Sequence, residues 1–203
     1  ISRHYVLSEL LLFIFCSTYN LRRRTYLPSA ICIGLLVNTH AFAWSLAFAC
    51  TSTLVIELFF SAKQRQYYFS RKLALLDFIS SSFVVLTSTT FAAFSLLQVR
   101  DVVDLNRFNH DLNHFLVVLG RVFGGYLLVI PNSSRLLDLI LCSLIAIGLL
   151  ATTLIFLSRS RSAFVFFVSG VLFLFAFNYF FYLGIGSRHY GHYFLLLIGS
   201  LWL

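Results

Sequence analysis

The chain is poor in charge: 11% of its 203 residues are Asp, Glu, Lys or Arg, where soluble domains carry about 25%. Against that scarcity stands a hydrophobic share of 60%, in runs that approach the roughly 20 residues needed to cross a bilayer. So little polar surface cannot cover a water-soluble globule. A soluble enzyme, a nucleic-acid binder and a disordered tail are excluded as the main class. Cysteine is scarce and unpatterned. Cys16, Cys32, Cys50 and Cys142 lie inside apolar runs with no CxxC spacing, which argues against a disulfide framework or zinc knuckle and for small packing residues. Methionine is absent, and no basic region followed by a short apolar stretch and a small-residue cleavage site is visible. The chain opens at Ile1-Ser2-Arg3, partway into an apolar segment, so the expectation is an internal piece of a longer protein.

What is present is a succession of apolar segments, at 5–21, 27–37, 41–60, 73–97, 136–157, 163–183 and 193–203. The run from Leu27 to Phe60 is too long for one crossing and divides at its polar interruption, Asn38-Thr39-His40. A further stretch, 115–130, is short and interrupted by Arg121 and Gly124-Gly125, which suits an interfacial or re-entrant helix better than a span. The pattern predicts an all-α fold: a polytopic transmembrane helical bundle with one interfacial or re-entrant helix, forming one multispanning domain over 1–203.

The net charge of +8 raises the question of an anionic polymer, but the basic residues are placed otherwise. Short connections carry them: Arg22-Arg23-Arg24, then Lys63, Arg65, Arg71 and Lys72, then Arg159 and Arg161. If 115–130 does not cross, all three connections fall on one side, without an acid among them. The positive-inside rule makes that side cytoplasmic. Glu57 and Asp77 fall near this boundary, close to Lys63 and Lys72, and read as structural. No nucleic-acid partner is expected; membrane lipid is.

The opposite side collects a different chemistry. All six histidines (His4, His40, His110, His114, His189 and His192) lie at or beyond the outer helix ends, with Arg3, Arg100, Arg107, Arg121, Arg135 and Arg188 and several Asp residues. These side chains hold phosphates, bind hydroxyls or move protons. Two strings match, Ser2-Arg3-His4-Tyr5 and Ser187-Arg188-His189-Tyr190, each offering a guanidinium that could grip a phosphate bidentately. The competing explanation is an interfacial belt of His and Tyr with snorkelling Arg. The pairs His110/His114 and His189/His192 are spaced to face one way on a helix, which leaves a divalent-metal half-site open. No HExxH accompanies them, and no cofactor is predicted. Glu9, inside the first apolar segment, is costly there unless paired or protonated.

Ser2-Arg3-His4-Tyr5-Val6-Leu7 opening a helix, the basic turn Arg22–Arg24, and a short helix ending in Asn38-Thr39-His40 resemble a stretch of GT-C membrane glycosyltransferases. These are polyprenyl-phosphate-sugar-dependent enzymes of the protein mannosyltransferase and aminoarabinose transferase type. The string Tyr182-Leu183-Gly184, Ser187-Arg188-His189-Tyr190-Gly191-His192 and Leu201-Trp202 is similar to one in bacterial membrane proteins of this kind. The resemblance implies an inverting transferase in the bacterial inner (plasma) membrane, using a lipid-linked sugar donor on the non-cytoplasmic face. It implies that Arg3 and His40 border the donor cavity and that Arg188 and His189 hold the lipid phosphate, with Tyr5 and His192 as further substrate-binding residues. The family's catalytic acid lies in an outer loop that would precede Ile1, so no residue here is assigned as base. A transporter or lipid flippase, and a non-enzymatic membrane subunit, are the alternatives.

Overall fold

The computed structural model describes residues 3–99, 112–124, 136–181 and 191–203. Among them the chain is helical throughout: α1 (Arg3–Thr18), a 3-10 turn (Tyr19–Arg23), α2 (Leu27–Val37), α3 (Ala43–Phe60), α4 (Ala62–Ser70), α5 (Lys72–Val99), α6 (Leu112–Gly124), α7 (Leu136–Leu157), α8 (Arg161–Phe181) and α9 (Gly191–Trp202). Four of these, α3, α5, α7 and α8, are long and apolar enough to cross a membrane. That length and composition mark the chain as a membrane protein. At 16, 11 and 12 residues, α1, α2 and α9 fall short of a full span. Of the stretch 115–130, expected to be interfacial, residues 115–124 belong to α6, and 125–130 lie outside the described residues.

Several hydroxyl groups behave as an apolar setting demands. Thr51, Thr53, Thr87, Thr90, Ser95 and Ser169 each donate to the carbonyl four residues back, at 2.7–3.0 Å. A helix can thereby carry hydroxyls without leaving a bare donor in hydrocarbon. Large apolar side chains point outward along α5 and α7, among them Leu73, Leu76, Phe83, Phe91, Leu144 and Ile155. A surface of that kind is an aggregation hazard in water and an ordinary one in lipid.

The core lies where α3, α8 and α9 meet α1 and α2, around Leu12, Phe15, Leu46, Phe166, Leu174 and Leu196, all fully buried. Small residues allow the backbones to approach. Ser45, Ala49 and Thr53 recur every fourth position on α3 and are buried, and Gly170 of α8 faces Ala49 and Leu196. Cys16, Cys32 and Cys50 are buried free thiols in the same core. Lipid supplies no hydrophobic drive between helices, so close van der Waals contact of this kind carries their association.

The basic connections gather at one end. Arg22 is buried in the 3-10 turn, and its guanidinium grips Glu57 of α3 through two bonds, Nε to Oε2 at 2.5 Å and Nη2 to Oε1 at 2.7 Å. The Tyr19 hydroxyl donates to the same carboxylate at 2.8 Å. The Tyr19 ring lies under the guanidinium, 3.5 Å from its central carbon. Glu57 therefore pairs with Arg22 rather than with Lys63 or Lys72, a tertiary contact across 35 positions that local spacing does not reveal. Asp77 of α5 accepts from Tyr26 N at 2.8 Å and Thr25 Oγ1 at 2.6 Å, which places a carboxylate at the positive start of α2.

The basic stretch 63–72, expected as a loop, is mostly helix α4. Ser61 caps it by accepting from Gln64 N at 3.3 Å. Its aromatic side then supplies the burial: Tyr68 is wholly buried, packs its ring at a tilt against Tyr26 with centroids 4.6 Å apart and donates to the Arg22 carbonyl at 2.7 Å. Burial pushes the Tyr26 phenol up to about 12 and raises Tyr68 as well, so both stay neutral at physiological pH.

Two stability predictions follow from this packing. A Cβ at position 170 would stand 2.2 Å from Leu196 Cδ2 and 3.1 Å from Ala49 Cβ, whereas one at Gly148 meets nothing within 4 Å. Gly170→Ala is expected to cost about 1–3 kcal/mol in detergent unfolding, with Gly148→Ala neutral or slightly stabilising. Equal behaviour of the two variants would contradict the helix crossing. Glu57→Leu, which strands a buried guanidinium, is expected to cost about 3 kcal/mol. Arg22→Leu combined with Glu57→Leu should recover much of that loss, and additive losses in the double-mutant cycle would refute the pairing.

Candidate functional site

The end opposite the basic connections is built from three parts of the chain that are far apart in sequence. The first turns of α1 contribute Tyr5 and Ser8, the α2–α3 turn contributes His40 and Phe42, and the first turn of α9 contributes His192. Each stands where a helix begins or ends, so packing of α1, α3 and α9 in the core fixes their meeting. The ring centroids of Tyr5 and His40 are 4.6 Å apart, those of His40 and His192 5.1 Å, and those of Tyr5 and His192 5.6 Å. Phe42 closes the group at 5.7 Å from His192 and meets Phe177 of α8 at 5.4 Å. His192 is 1% exposed and Ser8 fully buried, while Tyr5 and His40 are half-buried.

Hydrogen bonds set the state of His40. Its Nδ1 faces Ala43 N at 3.2 Å, and that N–H can only donate. On the other side, Ser8 Oγ donates to the Tyr5 carbonyl at 2.8 Å, so it must accept from His40 Nε2, 3.1 Å away. Both constraints give one answer: neutral imidazole with its hydrogen on Nε2. His40 thus caps the start of α3 with one nitrogen and ties the turn to α1 with the other. That is a structural task, and it leaves the faces of the ring, against Tyr5 and His192, as its contribution to the site.

The site lies beside a taller neighbour. Asn38 Nδ2 reaches the Ser88 carbonyl of α5 at 3.4 Å, and α5 continues from Ser88 to Val99, eleven residues or about 16 Å at helical rise. The 11-residue α2 therefore ends well below the tip of α5, and the α2–α3 turn sits recessed. Between the two helices runs a groove of about 550 Å³ lined by Gly34, Leu35, Asn38, Val84, Ser88 and Phe91.

Of the residues singled out in the sequence, Tyr5, His40 and His192 come together. Arg3 belongs to the first turn of α1, two positions ahead of Tyr5. Arg188 and His189 lie outside the described residues, as do His110 and the second SRHY string. His114 stands at the same end of the bundle: its Nε2 is 3.0 Å from the Tyr179 carbonyl and so carries the hydrogen. Among the described residues no three of His, Cys, Asp and Glu could hold a metal ion together. Glu9 has no hydrogen-bond or ion-pair partner among them either.

Sequence reasoning missed Ser8 and Phe42. Ser8 sits three positions after Tyr5, a spacing that lets its hydroxyl reach the Tyr5 carbonyl, but nothing local foretells His40 as its other partner. No family model, no curated protein and no solved structure matches this chain.

The hydrogen-bond geometry makes a spectroscopic prediction. In side-chain nitrogen–proton correlation spectra, His40 is expected as the Nε2–H tautomer, and Ser8→Ala should perturb its Nε2 resonance. An Nδ1–H tautomer would contradict the cap. His40→Ala should cost about 1–2 kcal/mol of stability, and His40→Asn, which keeps a short acceptor near Ala43 N, should restore part of it.

Proposed function

We propose that this chain is the membrane part of a GT-C-like glycosyltransferase, which takes a sugar from a polyprenyl-phosphate-linked donor on the non-cytoplasmic face of a bacterial inner membrane. One observation carries the reading: Tyr5, His40 and His192, three of the residues the GT-C resemblance points to, form one cluster at the end opposite the basic connections. The recess beneath the tip of α5 suits a donor with two natures. Its apolar tail needs a surface open to lipid, which α2 and α5 offer through Leu35, Leu86 and Phe91. Its phosphate needs cations and hydrogen-bond donors at the helix ends.

In that reading Tyr5, backed by the buried His192, forms part of the wall of the donor site, and Arg3, two positions ahead of Tyr5 on α1, is the residue that holds the phosphate. Transfer breaks the bond between the anomeric carbon and a phosphate oxygen while an acceptor hydroxyl attacks that carbon. The acceptor loses its proton to a base, and the departing polyprenyl phosphate keeps the electron pair. Stabilising that developing negative charge is the work assigned to Arg3, with Arg188 as a second cation.

A lipid flippase is the second reading, favoured by the depth of the α2–α3 turn beside α5. Short, interrupted helices near the middle of a bilayer are where transporters hold their cargo.

A short-chain polyprenyl phosphate titrated into the protein in phosphatidylcholine nanodiscs distinguishes these. Arg3→Gln and Tyr5→Ala are expected to weaken binding by about tenfold or more, with Lys63→Gln unchanged. Wild-type affinity no better than that of empty discs would overturn both readings. Binding accompanied by movement of the lipid across proteoliposomes, with no covalent sugar product from any acceptor mixture, would replace the transferase by the flippase.

A further inference from the structure

At the basic end, between α3, the α7–α8 turn and the start of α8, lies a cavity of about 610 Å³. It is far from the Tyr5–His192 cluster and independent of the glycosyl-transfer reading. Its lining divides in two. Phe60 and Phe164 form an apolar flank, while Ser61, Ser158, Ser162 and Arg161 bring hydroxyls and a cation to its polar rim. The volume falls in the range of small-molecule sites, about 300–1,000 Å³.

Charge bookkeeping in the cavity leaves a positive excess. Glu57 is the carboxylate in the lining, and both its oxygens are already taken, Oε1 by Arg22 and Oε2 by Arg22 and the Tyr19 hydroxyl. Arg161 is exposed. Its guanidinium carbon rests 6.0 Å from the Phe60 ring centroid, and it forms no ion pair with the described residues. The 21-residue α8 begins at Arg161, so the positive end of a long helix dipole adds to the same field. Arg159 lies two positions away, on the turn.

The apolar flank does not stop at the cavity. Phe59, Ile155 and Phe156, neighbours in sequence of the lining residues Phe60 and Ser158 and like Phe60 more than 60% exposed, add apolar surface beside it. A free anion would use the rim and ignore this flank. A ligand with a phosphate and a long hydrocarbon chain uses both.

We propose that this cavity is a binding site for an anionic phospholipid. Arg161 holds the headgroup phosphate, and one acyl chain lies along Phe60 and Phe164. Basic pockets between membrane helices select anionic lipids in this way, and the occupant would brace the α3–α8 seam on which the core depends.

Native mass spectrometry of the protein in neutral detergent, with equal amounts of phosphatidylglycerol and phosphatidylcholine added, tests the site. Wild type is expected to retain phosphatidylglycerol, and Arg161→Gln to lose about tenfold of that retention, with Lys63→Gln unchanged. Ser158→Asp, which brings a carboxylate to the rim, should act like Arg161→Gln. Circular dichroism and thermal unfolding without added lipid should show both variants folded as wild type. Equal retention of the two lipids, or undiminished retention in both variants, would overturn the proposal. Inorganic phosphate raising Tm as much as phosphatidylglycerol would replace the lipid by a free anion.

Discussion

The bond on which the rest of the arrangement depends is that between Arg22 and Glu57. Two charges removed from water cost more than they return unless every donor and acceptor is answered. Here both carboxylate oxygens and three guanidinium nitrogens are used, Nη1 reaching the Tyr19 carbonyl at 2.8 Å. A contact with such strict geometry fixes the end of α1 against the end of α3. Through the Arg22 carbonyl it also fixes Tyr68 and hence α4. Asp77 then locks α5 to the start of α2. The basic end is therefore a polar knot whose net positive charge is carried by residues around it rather than in it.

From that knot the other end follows by helix length. α1 and α3 rise from a common anchor and both pack against α2 and α9, so their far ends come close, and Tyr5 meets His40. The short α2 decides how deep the meeting lies. Pro28 sits in its first turn, where a missing N–H costs nothing, and Asn38 closes it by donating to the Gly34 carbonyl at 2.8 Å. Eleven residues are thus bounded by a start signal and a stop signal. The close approach of Gly34 to Ser88 of α5, where a Cβ would stand 2.7 Å from the hydroxyl oxygen, holds this half-length helix against a full-length one.

The positions of the helices were legible because apolar runs and polar breaks coincide in this chain. Asn38-Thr39-His40 divides α2 from α3, and Ser158–Ser160 divides α7 from α8. That the basic turns share one end and Tyr5, His40 and His192 the other follows from alternation of the crossings once 115–130 does not cross. Three things were not legible. α4 was hidden because its sequence, AKQRQYYFS, has too few apolar residues to show a period, and its burial comes from tilted aromatic packing of Tyr68 against Tyr26 and Phe78. The partner of Glu57 was hidden because Lys63 is nearer in sequence, whereas the 3-10 turn carries Arg22 into the interior. Ser8 was hidden because one hydroxyl in an apolar helix looks like any other until a histidine arrives from position 40.

His40 changes how the candidate site is weighed. From sequence it stood level with Arg3 and His192, as one more polar residue at a helix end. With Nδ1 capping α3 and Nε2 bound to Ser8, both nitrogens are committed to holding the turn, and protonating Nδ1 would set two hydrogens against each other at Ala43 N. A residue so placed positions its neighbours. Tyr5 and His192 are the side chains whose rings His40 holds in place. Because α9 alone delivers His192, the site is completed only when the last helix docks on Gly170 and Phe166, and the integrity of the core becomes a condition for the integrity of the site.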